Sequence, residues 1–320
     1  MNLPRPLTRP VAALLTLLAV WTDASALTPS ATPAAIAGGP RTYATPEEAV
    51  VALKAAVASG DRGRVEAIFG TGVKDLLSGD PKQDALEFAA FSKLMAQFSH
   101  VVIAADDRAT VDLGEENWPL PIPLIRAKGV WAFDTEAGKV EIINRRVGED
   151  ELNAIAVCHT YVAAQREYAS EDRTGDGVLR YARHLKSAPG HRDGLYWAAE
   201  PNEDPSPFGP LVAEARLEGY GGKTAAGDPQ PYKGYRFKIL TRQGPTAPGG
   251  AYDYIINDNL IAGFALVAYP AHWGESGVMT FVVNQWGRVY ERNLGPDSVD
   301  DATAMEEFNP DSDWEAVASP

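Results

Sequence analysis

Four residues in the middle of the chain are spaced to hold something. Asp172, Thr174 and Asp176 place an oxygen-bearing side chain at every second position, and Gly177 follows where a backbone must bend sharply. That spacing describes the start of a calcium loop. Counted from Asp172, the twelfth position should carry a bidentate glutamate, and it is Arg183. The EF-hand pattern therefore fails, while an irregular calcium site built from Asp172, Thr174 and Asp176, completed by Glu171 or backbone carbonyls, stays open. So does a plainer reading, because aspartates at such positions bond their own backbone and close turns without any cation.

Other reactive groups do not assemble into a known catalytic pattern, and no catalytic residue is assigned. G-x-S-x-G is missing, and Gly274-Glu275-Ser276-Gly277 falls short of it. H-E-x-x-H and Ser-x-x-Lys are missing too. The five histidines, at 100, 159, 184, 191 and 272, never recur at i, i+4, so one helix cannot supply two zinc ligands. His159 falls between Leu152 and Ile155 and is expected in a core. His184 and His191 bracket a Ser-Ala-Pro-Gly loop, where they either approach each other or stay solvated. Asp172, Asp176 and Asp193 lie in loops whose convergence would give the carboxylate pair of a glycan hydrolase. Cys158, the single cysteine, shares an apolar helical stripe with Ala154, Val157, Tyr161 and Tyr168, where a thiol is buried and inert. The run Gly244–Gly250 lacks the Gly-Lys-Ser/Thr of a phosphate loop. Tyr232, Tyr235, Tyr252, Tyr254 and Trp273 either line a groove or fill a core.

The elements that must position these groups follow an N-terminal address. Arg5 and Arg9 precede an apolar run, Val11–Val20, that is too short to span a bilayer, and Ala24-Ser25-Ala26 is a small-residue cleavage site. Residues 1–26 are expected to be a signal peptide cut after Ala26, and 27–40 a linker. The product is then periplasmic or secreted, with no membrane span. Losing Arg5, Arg9 and Asp23 removes a net +1 and takes the formal charge from −14 to −15. Such a chain is repelled by phosphate backbones, which argues against nucleic acid as a partner.

Period and punctuation predict an α+β fold in two domains, with helices packed on antiparallel sheets. In the first domain (41–147), Thr45-Pro46-Glu47-Glu48 opens a helix with a cap, a first-turn proline and two carboxylates. Helices over about 62–69 and 83–98 follow, then strands at 101–103 and 109–113. Trp118-Pro119-Leu120-Pro121-Ile122-Pro123 can pair along one edge only, because its prolines lack donors while Leu120 and Ile122 keep theirs. Residues 130–133 form a hairpin across Lys128-Gly129. The second domain (148–320) is expected to open with a long helix, about 149–170, laid on a four- to five-stranded antiparallel sheet. A short helix is read at 211–218. Strands are read at 235–240, 252–256, 261–268, 278–283 and 289–293, with turns at Asn257-Asp258-Asn259 and Gln285-Trp286-Gly287. The acidic tail from Asp297 to Glu315 reads as a solvated face with Trp314 packing back.

Several segments together resemble one family: residues 118–155, QREYASEDRTGDGVLRYA (165–182), RDGLYW (192–197), residues 233–254 and residues 263–297. They are similar to the bacterial exported family known as domain of unknown function 2950. The resemblance implies an exported bacterial protein and carries no activity with it. The C-terminal half also looks like the globular part of type II secretion pseudopilins, which often hold calcium near their sheet. It departs from that pattern because about 120 residues of another domain separate the leader from the long helix. The resulting expectation is a cell-envelope protein that binds or assembles, its partner an envelope protein or glycan. The alternative is an envelope hydrolase acting on glycan or peptidoglycan through the carboxylates at 172–197.

Overall fold

A computed structural model describes residues 39–77, 81–199, 204–217 and 230–318. The expected signal peptide, and the linker except for its last two residues, lie outside that range. Residues 38–320 form one compact unit.

The chain begins with helices α1 (Pro46–Ala58) and α2 (Arg62–Phe69), a 3-10 turn (Thr71–Leu76) and helix α3 (Pro81–Gln97). The Thr45 hydroxyl accepts from Glu48 N at 3.2 Å, and the Asp61 carboxylate accepts from Gly63 N at 2.9 Å, so both helix starts are satisfied by their own caps. Strands β1 (Ser99–Ala105), β2 (Arg108–Leu113), β3 (Trp118–Pro119), β4 (Leu124–Ala127) and β5 (Val130–Phe133) follow. They form a sheet in the order β1-β2-β4-β5, with β3 also pairing β2. The alternate prolines act as their chemistry dictates. Leu120 N donates to Val111 O at 2.7 Å, pairing resumes at Leu124, and Ile122 is buried between two residues that have no donor.

Ile122 also explains a helical glycine. A Cβ at Gly138 would lie 2.6 Å from Ile122 Cγ1 and 2.9 Å from its Cα. Gly138 belongs to α4 (Thr135–Tyr168), a continuous helix of 34 residues capped by Asp134, whose carboxylate accepts from Ala137 N. The expectation of a helix opening the C-terminal domain near 149 is corrected here: the helix starts at Thr135, inside the N-terminal half. Its first turns belong with the N-terminal core, where Thr135 Oγ1 donates to Phe69 O at 2.6 Å, Ile142 packs, and buried Arg146 donates to Leu76 O.

Beyond Tyr168 the described chain is mostly strand. Strands β6 (His184–Lys186) and β7 (Gly194–Tyr196) pair in parallel, and helix α5 spans Gly209–Leu217. Then come β8 (Tyr235–Leu240), β9 (Arg242–Gln243), β10 (Tyr252–Asp253), β11 (Ile255–Ile256), β12 (Asn259–Leu260), β13 (Ala265–Pro270), β14 (Thr280–Asn284) and β15 (Val289–Arg292). Helix α6 (Ser298–Ala304) and strands β16 (Glu307–Phe308) and β17 (Glu315–Ala316) close the chain. The main C-terminal sheet is antiparallel, in the order β17-β15-β14-β13-β8. Every residue of β13 and β14 is buried, as central strands covered on both faces require.

The architecture is thus α+β, with mixed helices and antiparallel sheets around two buried hydrophobic clusters. Ala154, Cys158, Tyr161 and Tyr168 of α4 share the second cluster with β8, β13 and β14. His159, expected in the core, is exposed, because the buried stripe of α4 runs one residue to its side. Tyr235 and Tyr254 are fully buried core residues, whereas Trp273 keeps 36% of its surface. Among the described residues, no helix is long and apolar enough to cross a membrane.

Candidate functional site

Helix α4 ends at Tyr168, and the acidic turn begins two residues later. The turn is tied to itself. Asp172 Oδ1 accepts from Gly175 N at 2.8 Å and Thr174 N at 3.2 Å, and Oδ2 accepts from Gly177 N at 2.7 Å. Thr174 Oγ1 adds a weaker bond at 3.3 Å. These donors hold the Asp172 carboxyl below its ordinary value, the Gly177 N–H contributing most. Asp176 is lowered by Arg180, whose guanidinium is hydrogen-bonded to both carboxylate oxygens. Gly175 and Gly177 have φ of +75° and +82°, a region glycine enters freely. The N–H groups of the turn are thus directed at the Asp172 carboxylate itself.

What this loop sends inward is its arginines. Asp176 and Glu171 keep about half or more of their side-chain surface (50% and 62%), whereas Arg173 keeps 7% and Arg180 18%. The Arg173 guanidinium lies 5.6 Å from the Trp197 ring centroid, and Arg192 lies 5.4 Å from the same ring. One buried tryptophan therefore carries two cations, a contact that strengthens as water is excluded. The Tyr168 hydroxyl donates to Arg192 O. Burial raises the Tyr168 pKa, Asp193 raises it further, and Arg180 and Arg173 pull it back, which places charges from both loops around one phenol.

The second loop is anchored as firmly. Asp193 Oδ1 accepts from Ala188 N at 3.0 Å, and Ser187 Oγ accepts from Gly194 N at 2.9 Å. Gly194 sits where any Cβ would lie 2.6 Å from Ser187 N and Lys186 C, so β6 and β7 can approach only because that residue is glycine. The loop that joins β6 to β7 and the residues at the end of β7 line a hollow of about 460 Å³: Lys186–Ala188, Pro189, Gly190, His191, Arg192 and Tyr196–Ala198.

The candidate residues fare differently. Asp172, Thr174 and Asp176 come together within their own turn. His184 Nε2 stands 4.0 Å from Asp193 Oδ2, while Ser187 Oγ faces Gly194 and lies buried, so the serine, histidine and aspartate form no relay. Cys158 is fully buried, and burial pushes its thiol up to about 12, where it stays protonated. Among the described residues, no group of three or more His, Cys, Asp or Glu side chains is placed to hold a metal ion. The reading of residue types missed Arg173, Arg192 and Trp197. Only Arg192 and Trp197, as the ends of RDGLYW, stood out as a segment, and no spacing rule ties that segment to an arginine twenty residues earlier.

No curated protein and no solved structure matches this chain. Residues 40–317 match the family described as Protein of unknown function (DUF2950), and since that match covers most of the sequence, the chain belongs to this family.

Proposed function

We propose that this is an exported cell-envelope protein acting as a non-enzymatic binding or assembly module, with the loops at 172–198 as its binding face. Helix α4 and the C-terminal strands serve as the scaffold that presents those loops. The division into a domain of 41–147 and a pilin-like one of 148–320 belongs to the same proposal. So does the fate of the N-terminus, with residues 1–26 removed on export and 27–40 a spacer.

One observation carries this reading. The carboxylates that a hydrolase would need are committed to structure: Asp172 to four donors of its own turn, Asp176 to Arg180, and Asp193 to Ala188 N. Asp172 and Asp176 are thereby held ionised, against a general acid's task, and Asp193 is tied to the backbone of its own loop. The turn at 172–177 closes on its own donors, with calcium at Asp172, Thr174 and Asp176 the competing reading. Calorimetric titration with millimolar calcium separates the two: heat together with a raised melting temperature establishes the ion.

The function is tested by incubating the purified mature protein with isolated peptidoglycan sacculi and with envelope extracts. The expected outcome is co-sedimentation or capture of a defined component, without soluble glycan fragments. Release of fragments that is lost in Asp193→Asn would replace this reading with the hydrolase, for which the proximity of His184 to Asp193 is the favouring observation. Capture of nothing above background would remove the module.

A further inference from the structure

We infer that the hollow lined by the β6–β7 loop is a subsite for the anionic group of an acidic saccharide. The inference rests on the binding-module reading above and names the ligand class it would serve.

The first argument is charge. The chain is strongly acidic, with a formal net charge of −14, yet the described residues lining this hollow include Lys186, His191 and Arg192 and, among them, no carboxylate. Asp193, the acidic residue next in sequence, is not part of the lining, and its oxygens are engaged by Ala188 N and stand near His184. Lys186 is exposed and has no ion-pair partner among the described residues. In a molecule this acidic, a cationic hollow focuses small anions against the general field.

The second argument is the surplus of donors beneath it. Trp197 lines the hollow and is 8% exposed, and its buried indole N–H has no acceptor among the described residues. Arg173 Nε, on the guanidinium stacked against the same ring, is likewise buried with no acceptor among the described residues. The Arg173 guanidinium pairs with the exposed carboxylate of Glu171 at 3.2 Å, and an anion bound over this ring would meet its positive charge from the other side. The third argument is size and surface. A hollow of about 460 Å³ falls within the range of small-ligand sites, and Tyr196 and Trp197 supply aromatic surface beside the cations. Aromatic rings with a few convergent donors suit a sugar ring that carries one charged substituent.

Titration calorimetry of the mature protein with N-acetylmuramic acid, N-acetylglucosamine and glucose 6-phosphate tests this. The first and second share a ring and differ by the 3-O-lactyl group that carries the carboxylate, and the third is a neutral-ring hexose that carries a phosphate. N-acetylmuramic acid or glucose 6-phosphate is expected to bind at least about tenfold more tightly than N-acetylglucosamine, the stronger of the two identifying the anion. Lys186→Met, an exposed substitution that leaves the fold intact, is expected to cost about tenfold in that affinity, with Arg192→Met as the second variant. Equal affinity for neutral and charged sugars, or unchanged affinity in Lys186→Met, overturns the subsite. So does binding of a glutamate-rich peptide in place of the sugars. If sacculi are still captured while all three sugars fail, the subsite alone falls; if capture is lost as well, the module reading falls with it.

Discussion

Asp172 shows how one spacing can serve two structural ends. Alternating oxygens before a glycine describe both a calcium loop and a self-closing turn, and nothing in residue types separates them. The geometry adds that the turn closes on its own donors, the N–H groups of Gly175 and Gly177 pointing at the Asp172 carboxylate. The pH dependence follows from the direction of the shift. A carboxyl lowered below 3.8 contributes stability that is fully present above that value and is lost as pH falls through its folded value. Asp172→Asn is therefore expected to lower the melting temperature at pH 7, with the two proteins converging as the pH is taken below 3.8. A constant difference across that range would show that shape rather than charge matters. The arginines were harder to read. Arg173 differs from any surface arginine only by its burial against Trp197, a contact between segments twenty-four positions apart that local pattern cannot encode.

At the scale of elements, local chemistry was most legible where it acts locally. Thr45 caps α1, the prolines of residues 118–123 confine pairing to one edge, and the positive φ of Asn257 and Asp258 makes the β11–β12 hairpin. Helix α4 was misjudged because Gly138 and Gly148 interrupt its helical pattern near its start. The two glycines are not alike. Alanine at Gly138 meets Ile122 side chain and backbone under 3 Å, whereas at Gly148 it meets nothing within 4 Å. Gly148→Ala is expected to stabilise the protein by about 0.5–1 kcal/mol, and Gly138→Ala to destabilise it by about 1–3 kcal/mol despite alanine's better helix propensity. Urea denaturation of both variants checks the opposite signs. The edge of the C-terminal sheet offers a third case. Glu291 and Glu315 stand directly opposite across β15 and β17, and burial, then Glu151 and Glu315, raise the Glu291 carboxyl above 4.5. Its folded state favours the neutral form, so this group's stability is present below 4.5 and lost as pH rises through the folded value. Glu291→Gln should raise the melting temperature at pH 7 and leave it unchanged below pH 4.5, the reverse of Asp172→Asn.

At the scale of the whole molecule, two buried clusters share one helix. Ile142 and Arg146 serve the N-terminal core, and Ala154 to Tyr168 serve the C-terminal one, along a rod of 34 residues or roughly 50 Å. Two period patterns, helices then strands, made two cores legible, but a helix spanning both reads from sequence as a boundary, because glycines and charges gather where it passes between them. Each core fixes the helix's position, and an unbroken helix makes melting one core costly for the other. Gly148 lies between the two sets of contacts with nothing within 4 Å of its Cβ position. Proline there removes a backbone hydrogen bond and clashes with the preceding turn, a local cost of about 3 kcal/mol, without touching either core directly. Calorimetry of the wild-type chain is expected to give one cooperative transition, and Gly148→Pro to resolve it into two of comparable total enthalpy. A single sharp transition retained in the proline variant would place the coupling elsewhere. Two transitions already present in the wild type would mean that the helix transmits none of it.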